Sequence, residues 1–137
     1  MKDLHNYSLL RHNTFGIDAR CHRFIEVETV DEARLLPGML TAADQPLLLI
    51  GGGSNLLLTG DFQGTVVHAA IRGVELAGHD AAKQEVLLRV GSGETWDDVV
   101  SYTLEHGYYG AENLSLIPGD VGASAVQNIR YSQDPQI

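Results

Sequence analysis

A run of three glycines followed by a serine and an asparagine is the part of this sequence best suited to binding an anion. It lies between the apolar residues 46–50 and three leucines, and it comprises Gly51, Gly52, Gly53, Ser54 and Asn55. Glycine loses more backbone freedom on folding than any other residue, so three in succession indicate a close approach to the backbone. Successive N–H groups of such a loop can converge on phosphate oxygens, and the serine hydroxyl and asparagine amide can add hydrogen bonds.

Two known nucleotide-binding motifs do not match this loop. A Rossmann fingerprint needs glycine at position 56 or 58, where this sequence has Leu56 and Leu58. A Walker A loop needs Gly-Lys followed by Ser or Thr, and no such residues follow the three glycines. Turn chemistry alone leaves a tight turn between strands open beside the phosphate-binding interpretation.

A second stretch of small residues, 117–129, could form the other half of a ligand site. Gly119, Gly122 and Ala123 would let a ligand approach the backbone closely. Ser124 and Asn128 would provide polar groups. The members that could pack against a flat ring, with the neighbouring Pro118, are Ile117, Val126 and Ile129. We expect the two loops to close on opposite sides of one extended ligand, and two unrelated loops are the alternative.

Composition and charge limit the classes of partner. The chain has 137 residues and a net charge of −9, which argues against binding nucleic acid or an anionic membrane through clustered Lys and Arg. A small anionic ligand is compatible with this charge if backbone N–H groups hold it. Cys21 is the only cysteine, so the sequence predicts no disulfide framework and no thiolate metal cluster. Without a signal peptide or an apolar run near the roughly 20 residues that span a bilayer, we expect a cytoplasmic location.

The first half of the chain predicts two strands and a helix. Residues 1–18 are polar and lack clear periodicity, with a turn expected around Gly16. Residues 23–30 alternate as a strand with one apolar face, and Thr29 with Glu32 forms a capping box for a helix that begins at Asp31. Pro37 should kink or end that helix. Residues 46–50 then predict a short buried strand that leads into the glycine loop.

The second half predicts more strands, one helix and a long ordered loop. GTVVHAA and EVLLRVGSG are typical of strands, joined through turns near Gly73 and at residues 78–80. Thr95 and Asp98 indicate a helix start, and Gly107 indicates its end. The fold class is therefore α/β or α+β, with a sheet and few helices.

Other chemistry-bearing residues lack a motif. The six histidines have no metal-ligand spacing, so we expect no metal site. The carboxylates at positions 94, 97 and 98 lie at a helix start, where they favour the helix dipole. No Ser/His/Asp or Cys/His set has motif context, so nucleophilic hydrolysis is not indicated.

Six segments in order resemble one known family. They are NTFGI, GGGSNLLL, GTVV, IRGVE, VGSGETWDDVV and AENLSLIPGDVGASAVQNI, and they extend from about residue 13 to residue 129. Together they resemble the FAD-binding part of UDP-N-acetylenolpyruvoylglucosamine reductases (MurB). The resemblance implies a fold of the PCMH or vanillyl-alcohol-oxidase type, in which two small α/β subdomains hold FAD between them.

The same resemblance implies a partial domain. The FAD-binding part would occupy residues 1–129, with a first subdomain over about 1–75 and the start of a second over about 76–129. Residues 51–55 would hold the FAD pyrophosphate, and residues 117–129 would follow the pyrophosphate, ribityl chain and isoalloxazine. Residues 130–137 depart from the family pattern, and a substrate domain is absent from the sequence. Asp120 stands where many relatives have Cys or a small residue, which we expect to be tolerated.

The family uses NADPH to reduce FAD and then reduces UDP-GlcNAc enolpyruvate for peptidoglycan synthesis. Its catalytic serine, glutamate and arginine match no position of this sequence, so no catalytic residue is expected here. The resemblance therefore implies a truncated and inactive chain that binds FAD weakly or not at all and could self-associate to cover its missing half. The alternatives are a non-catalytic nucleotide- or phosphate-binding remnant and another PCMH-type flavin oxidoreductase.

Overall fold

A computed structural model of the chain describes residues 1–127 and shows two sheets with helices between their strands. The strands are β1 (Lys2–Ser8), β2 (Arg20–Val27), β3 (Leu47–Ile50), β4 (Phe62–Ala69), β5 (Val74–Asp80) and β6 (Glu85–Val90). The α-helices are α1 (Val30–Met39), α2 (Trp96–Glu105) and α3 (Val121–Ser124). The predicted positions Asn128 and Ile129, with the tail 130–137, lie outside the described residues.

The first sheet has the strand order β1-β2-β4-β3. β1 is antiparallel to β2, whereas β2, β4 and β3 are mutually parallel. α1 connects β2 to β3, and the loop of residues 51–55 follows the carboxyl end of β3. In open parallel sheets ligands bind beyond the carboxyl ends of the strands, so this topology places the glycine loop at the edge where a ligand is expected.

The core covers both faces of the first sheet. One face carries the buried cluster Leu9, Ala19, Cys21, Phe24, Ile50, Leu58 and Val66. The other face buries Ile25, Val27 and Val67 against Ala33 and Leu36 of α1. The expectation of one apolar face for residues 23–30 is therefore wrong, because central parallel strands are covered on both sides. Even Glu26 is only 8% exposed.

Three other local predictions are also wrong. Residues 47–50 form an edge strand in which Leu49 is 72% exposed, so the strand is not buried as a whole. The polar N-terminal stretch contains β1, whose lack of periodicity follows from its own position at the sheet edge. Gly78 lies inside β5 at a register shift with β6, and the turn between these strands follows Asp80 instead.

The helix signals are confirmed more closely. α1 begins after Thr29, whose Oγ1 accepts a hydrogen bond from Glu32 N at 3.2 Å. It ends at Met39, two residues after Pro37. α2 begins after Thr95, although the Thr95 side chain makes no capping hydrogen bond within the described chain. Gly107, with a φ of +70°, follows the end of α2 as predicted.

β5 and β6 form a separate two-stranded antiparallel sheet. β5 begins at Val74, beside the boundary near residue 75 that the sequence predicts. The division into subdomains 1–75 and 76–129 itself stays a prediction. Within residues 1–127, every helix is too short or too polar to cross a bilayer.

Replacing Val66 with alanine should lower the free energy of unfolding by about 2 kcal/mol, because its fully buried side chain lies at the centre of the first core cluster. Leu35→Ala is the control, since Leu35 is exposed on α1 and its loss should change stability by less than about 0.5 kcal/mol. Urea unfolding followed by circular dichroism measures both. Equal effects from the two substitutions would contradict this description of the core.

Candidate functional site

Of the three glycines in the loop, Gly53 is the one at which the surrounding protein leaves no space for a Cβ atom. Its φ is +68°, in the left-handed region that favours glycine. A Cβ built on Gly53 would lie 2.0 Å from the carbonyl oxygen of His12. The Gly53 carbonyl also accepts hydrogen bonds from Leu56 N and Thr14 N, both at 3.4 Å. Gly53 therefore joins the loop to the N-terminal segment.

Gly51 and Gly52 face the second predicted segment instead. A Cβ on Gly51 would lie 3.3 Å from Asp120 Oδ2 and 3.5 Å from Ala123 Cβ. A Cβ on Gly52 would lie 3.0 Å from Asp120 Oδ1. The structure thus brings the two glycine-containing segments together, as the sequence predicts.

Ser54 links the two segments through its side chain. Its Oγ donates a hydrogen bond to the Pro118 carbonyl at 3.5 Å and accepts one from Gln127 Nε2 at 3.4 Å. A Cβ on Gly119, whose φ is +116°, would lie 3.1 Å from the same Oγ. Gln127 is a residue that the sequence reasoning missed, although its amide in the AVQN stretch is a polar signal beside the predicted positions.

The second segment is held by backbone hydrogen bonds to the residues before α2. Trp96 N donates to the Gly119 carbonyl at 2.9 Å, and Gly122 N donates to the Ser92 carbonyl at 2.8 Å. A Cβ on Gly122 would lie 2.8 Å from Ser92 Cβ, so this glycine packs on protein and not on the cavity. These contacts agree with the predicted ordered loop, which contains the short helix α3.

The loop and the second segment enclose a cavity of about 240 Å³. It is lined by Leu48, Leu49, Ile50, Gly51, Gly52, Gly53, Ser54, Asn55, Leu56, Ala123, Val126 and Gln127. Whole small-molecule sites are usually about 300–1,000 Å³, so this cavity suits one part of a larger ligand. Of the predicted site residues in the described chain, Ile117, Pro118, Gly119, Gly122 and Ser124 do not line it.

A network of titratable groups lies beside the loop. His68 is the register partner of Ile50, which directly precedes the glycines, and its Nδ1 lies 2.9 Å from Glu26 Oε2. Burial opposes ionisation of Glu26, but hydrogen bonds from Lys2 and His68 hold its pKa below the ordinary value. Burial lowers the pKa of His12, whose ring contacts His68 edge-on. His68 therefore lies beside the start of the loop and is hydrogen-bonded to Glu26.

Comparison with known proteins identifies relatives with the same segment. A family model described as FAD binding domain matches residues 22–133. UDP-N-acetylenolpyruvoylglucosamine reductase of Bacteroides fragilis (strain YCH46) is 54% identical over 123 residues, which are 90% of this chain and 36% of that protein. The enzyme of the same name from Pseudomonas fluorescens (strain Pf-5) is 46% identical over 122 residues, 89% of this chain and 35% of that protein. The chain thus spans about a third of the length of these relatives.

A solved structure supports the fold. The MurB structure from Thermus caldophilus matches with a TM-score of 0.58 and 23% identity, over 90% of this chain and 40% of that one. Together with the family model, this similarity confirms the predicted PCMH-type FAD-binding fold for the segment.

Replacing Gly53 with alanine should destabilise the chain by roughly 2 kcal/mol or more, because it combines a left-handed backbone with a contact to the His12 carbonyl. Gly60→Ala is the matched control, since a Cβ at Gly60 meets no atom within 4 Å. Thermal or urea unfolding measures both variants. A Gly53 variant as stable as the Gly60 variant would refute the structural role assigned to Gly53.

Proposed function

This chain belongs to the FAD binding domain family, and from that membership we propose that it holds the pyrophosphate of FAD between loop 51–55 and residues 117–129. The observation that carries the proposal is the cavity formed where the two segments meet, because Gly51 and Gly52 line it without side chains. The residues proposed to contact the pyrophosphate are the predicted ones that line this cavity, with Gln127 added: Gly51, Gly52, Gly53, Ser54, Asn55, Ala123 and Val126. The other predicted residues of 117–129, apart from Gly122, are proposed to contact the rest of FAD. We propose the segment as the FAD-binding portion of a UDP-N-acetylmuramate dehydrogenase.

The residues of the cavity fit one part of FAD, its charged pyrophosphate. Exposed backbone N–H groups of a glycine loop bind phosphate without a lysine or arginine, which suits a chain with a net charge of −9. When bound, FAD supplies hydride-transfer chemistry. The residues of this chain bind and orient its pyrophosphate.

The complete reaction is a proposal for the longer protein that these relatives represent. In it, NADPH would reduce FAD, and the flavin would reduce UDP-GlcNAc enolpyruvate for cell wall synthesis. The relatives are about three times as long as the matched segment, and the resemblance places the catalytic residues elsewhere in their length. We propose that the 137 residues alone bind FAD weakly and do not catalyse the reduction. Because UDP-sugars and NADPH are cytoplasmic metabolites, we propose a cytoplasmic location.

Titration of the 137-residue chain with FAD should show saturable binding by ultrafiltration and calorimetry, and ADP should compete with it. Gly51→Val should weaken FAD binding at least roughly tenfold, because the larger side chain would fill the space before Asp120 and Ala123. Gly60→Val is the control, since Gly60 faces open space and should leave binding unchanged.

Absence of saturable FAD binding up to about 1 mM FAD would contradict the proposed cofactor. A Kd of about 1 mM corresponds to a binding free energy of about −4 kcal/mol. Binding of ADP or pyrophosphate as tight as that of FAD would favour the phosphate-binding remnant. Full NADPH-dependent turnover of UDP-GlcNAc enolpyruvate by this chain would contradict the proposed absence of catalytic residues.

We further propose that two copies associate through the β5–β6 sheet. Two-stranded sheets are marginally stable alone, and Leu76 and Leu87 of this sheet are 51% and 66% exposed. Edge strands with apolar side chains are ready to pair with another chain. No nucleic acid or membrane partner is proposed.

Light scattering after size-exclusion chromatography should detect a concentration-dependent dimer of the 137-residue chain. Leu87→Lys should shift the equilibrium toward monomer, because it places a charge on the proposed contact. Leu35→Lys, on the exposed face of α1, should leave the dimer intact. A monomer at all concentrations would refute the association.

A further inference from the structure

The carboxylate of Asp120 lies directly against the glycine loop. Asp120 Oδ1 lies 3.0 Å from where a Cβ built on Gly52 would be. Asp120 Oδ2 lies 3.3 Å from where a Cβ built on Gly51 would be. These are the two glycines that protein packing leaves facing the second segment. Asp120 does not itself line the cavity, but its carboxylate lies against Gly51 and Gly52, which do.

Asp120 does not act as a helix cap in the described chain. It precedes α3 at the N-cap position, where aspartate usually accepts a hydrogen bond from the first turn, but its side chain makes no such bond. Its backbone forms an antiparallel β-bridge with Thr95, and its carbonyl accepts a hydrogen bond from Ala123 N at 3.0 Å. The carboxylate is therefore available for a role in ligand binding.

We propose that Asp120 weakens the affinity of this loop for FAD by placing a carboxylate against two of the glycines that would hold the pyrophosphate. This inference rests on the proposed function. An ionised carboxylate and a pyrophosphate repel each other at close range in a partly desolvated site. FAD binding is therefore weaker while Asp120 is ionised and lies against Gly51 and Gly52. The net result is tighter binding as the pH falls.

The groups around Asp120 determine how this pH response is measured. Burial raises the pKa of the Asp120 carboxyl, while His68 of β4 and Arg72, which follows β4, act in the opposite direction. Arg72 also pairs with Glu94 at 3.2 Å, on the segment that leads into α2. The contribution of Asp120 is therefore the difference between the pH profiles of the wild-type chain and an Asp120 variant.

Calorimetric titration of the 137-residue chain with FAD, from about pH 8 to about pH 5, tests the inference. Asp120→Asn keeps the shape of the side chain and removes its charge, so it should bind FAD roughly tenfold more tightly than wild type near pH 8. The two affinities should converge as the pH falls. Asp120→Ser, which is smaller and uncharged, should behave like Asp120→Asn.

Asp98→Asn is the matched control, because it removes one negative charge from an exposed position on α2. It should leave the FAD affinity near the wild-type value at every pH. Equal affinities of wild type and Asp120→Asn across the range would overturn the inference, as would weaker binding by Asp120→Asn. If Asp98→Asn tightened binding equally, the effect would be one of net charge and the inference would be wrong. FAD binding by none of the proteins would refute the proposed cofactor and this inference with it.

Discussion

The close packing of loop 51–55 between two distant parts of the chain is the constraint on which the site depends. On one side Gly53 contacts the His12 carbonyl, and on the other Gly51 and Gly52 contact Asp120. The contact of Gly53 excludes a Cβ, whereas a Cβ on Gly51 or Gly52 would be tight against the Asp120 side chain, so the three glycines meet two different requirements. One glycine fixes the loop on the first sheet, and the other two leave room for a ligand at the junction with the second segment.

The electrostatics of the site follow from the same packing. An acidic chain cannot attract a phosphate by its overall field, so the local N–H groups of the loop must supply most of the attraction. The carboxylate of Asp120 lies against Gly51 and Gly52 and would oppose this attraction. On the proposed function, the affinity for an anion is therefore the difference between attraction by the loop N–H groups and repulsion by Asp120.

The sequence predicts the parts of this fold that depend on local chemistry. The capping box of Thr29 and Glu32, the glycine after α2 and the two glycine segments are local signals, and the structure places all of them as expected. The wrong predictions concern position within the sheet. Leu49 is in an apolar run but lies on an edge strand, and Glu26 alternates like a surface residue but lies in a covered strand. Neither position can be read from local pattern, because strand order is set by pairing between residues far apart in the chain. The same limit applies to Asp120, because the sequence does not reveal that its carboxylate lies against Gly51 and Gly52.

A site assembled from distant segments also links ligand binding to folding. Ser54 joins the loop to residues 117–127 through hydrogen bonds with Pro118 and Gln127. Backbone hydrogen bonds with Ser92, Glu94 and Trp96 hold the same segment at the start of α2. A ligand that touches both segments binds only when they are together, so its binding free energy adds to the stability of that arrangement. Conversely, any contact that holds the segment in place before binding reduces the ordering cost and raises affinity. The side-chain hydrogen bonds of Ser54 across this junction are long, at 3.4 and 3.5 Å, so they contribute little to holding the two segments together. A ligand that contacts both segments would strengthen the junction at Gly51 and Gly52, the glycines that lie against the second segment.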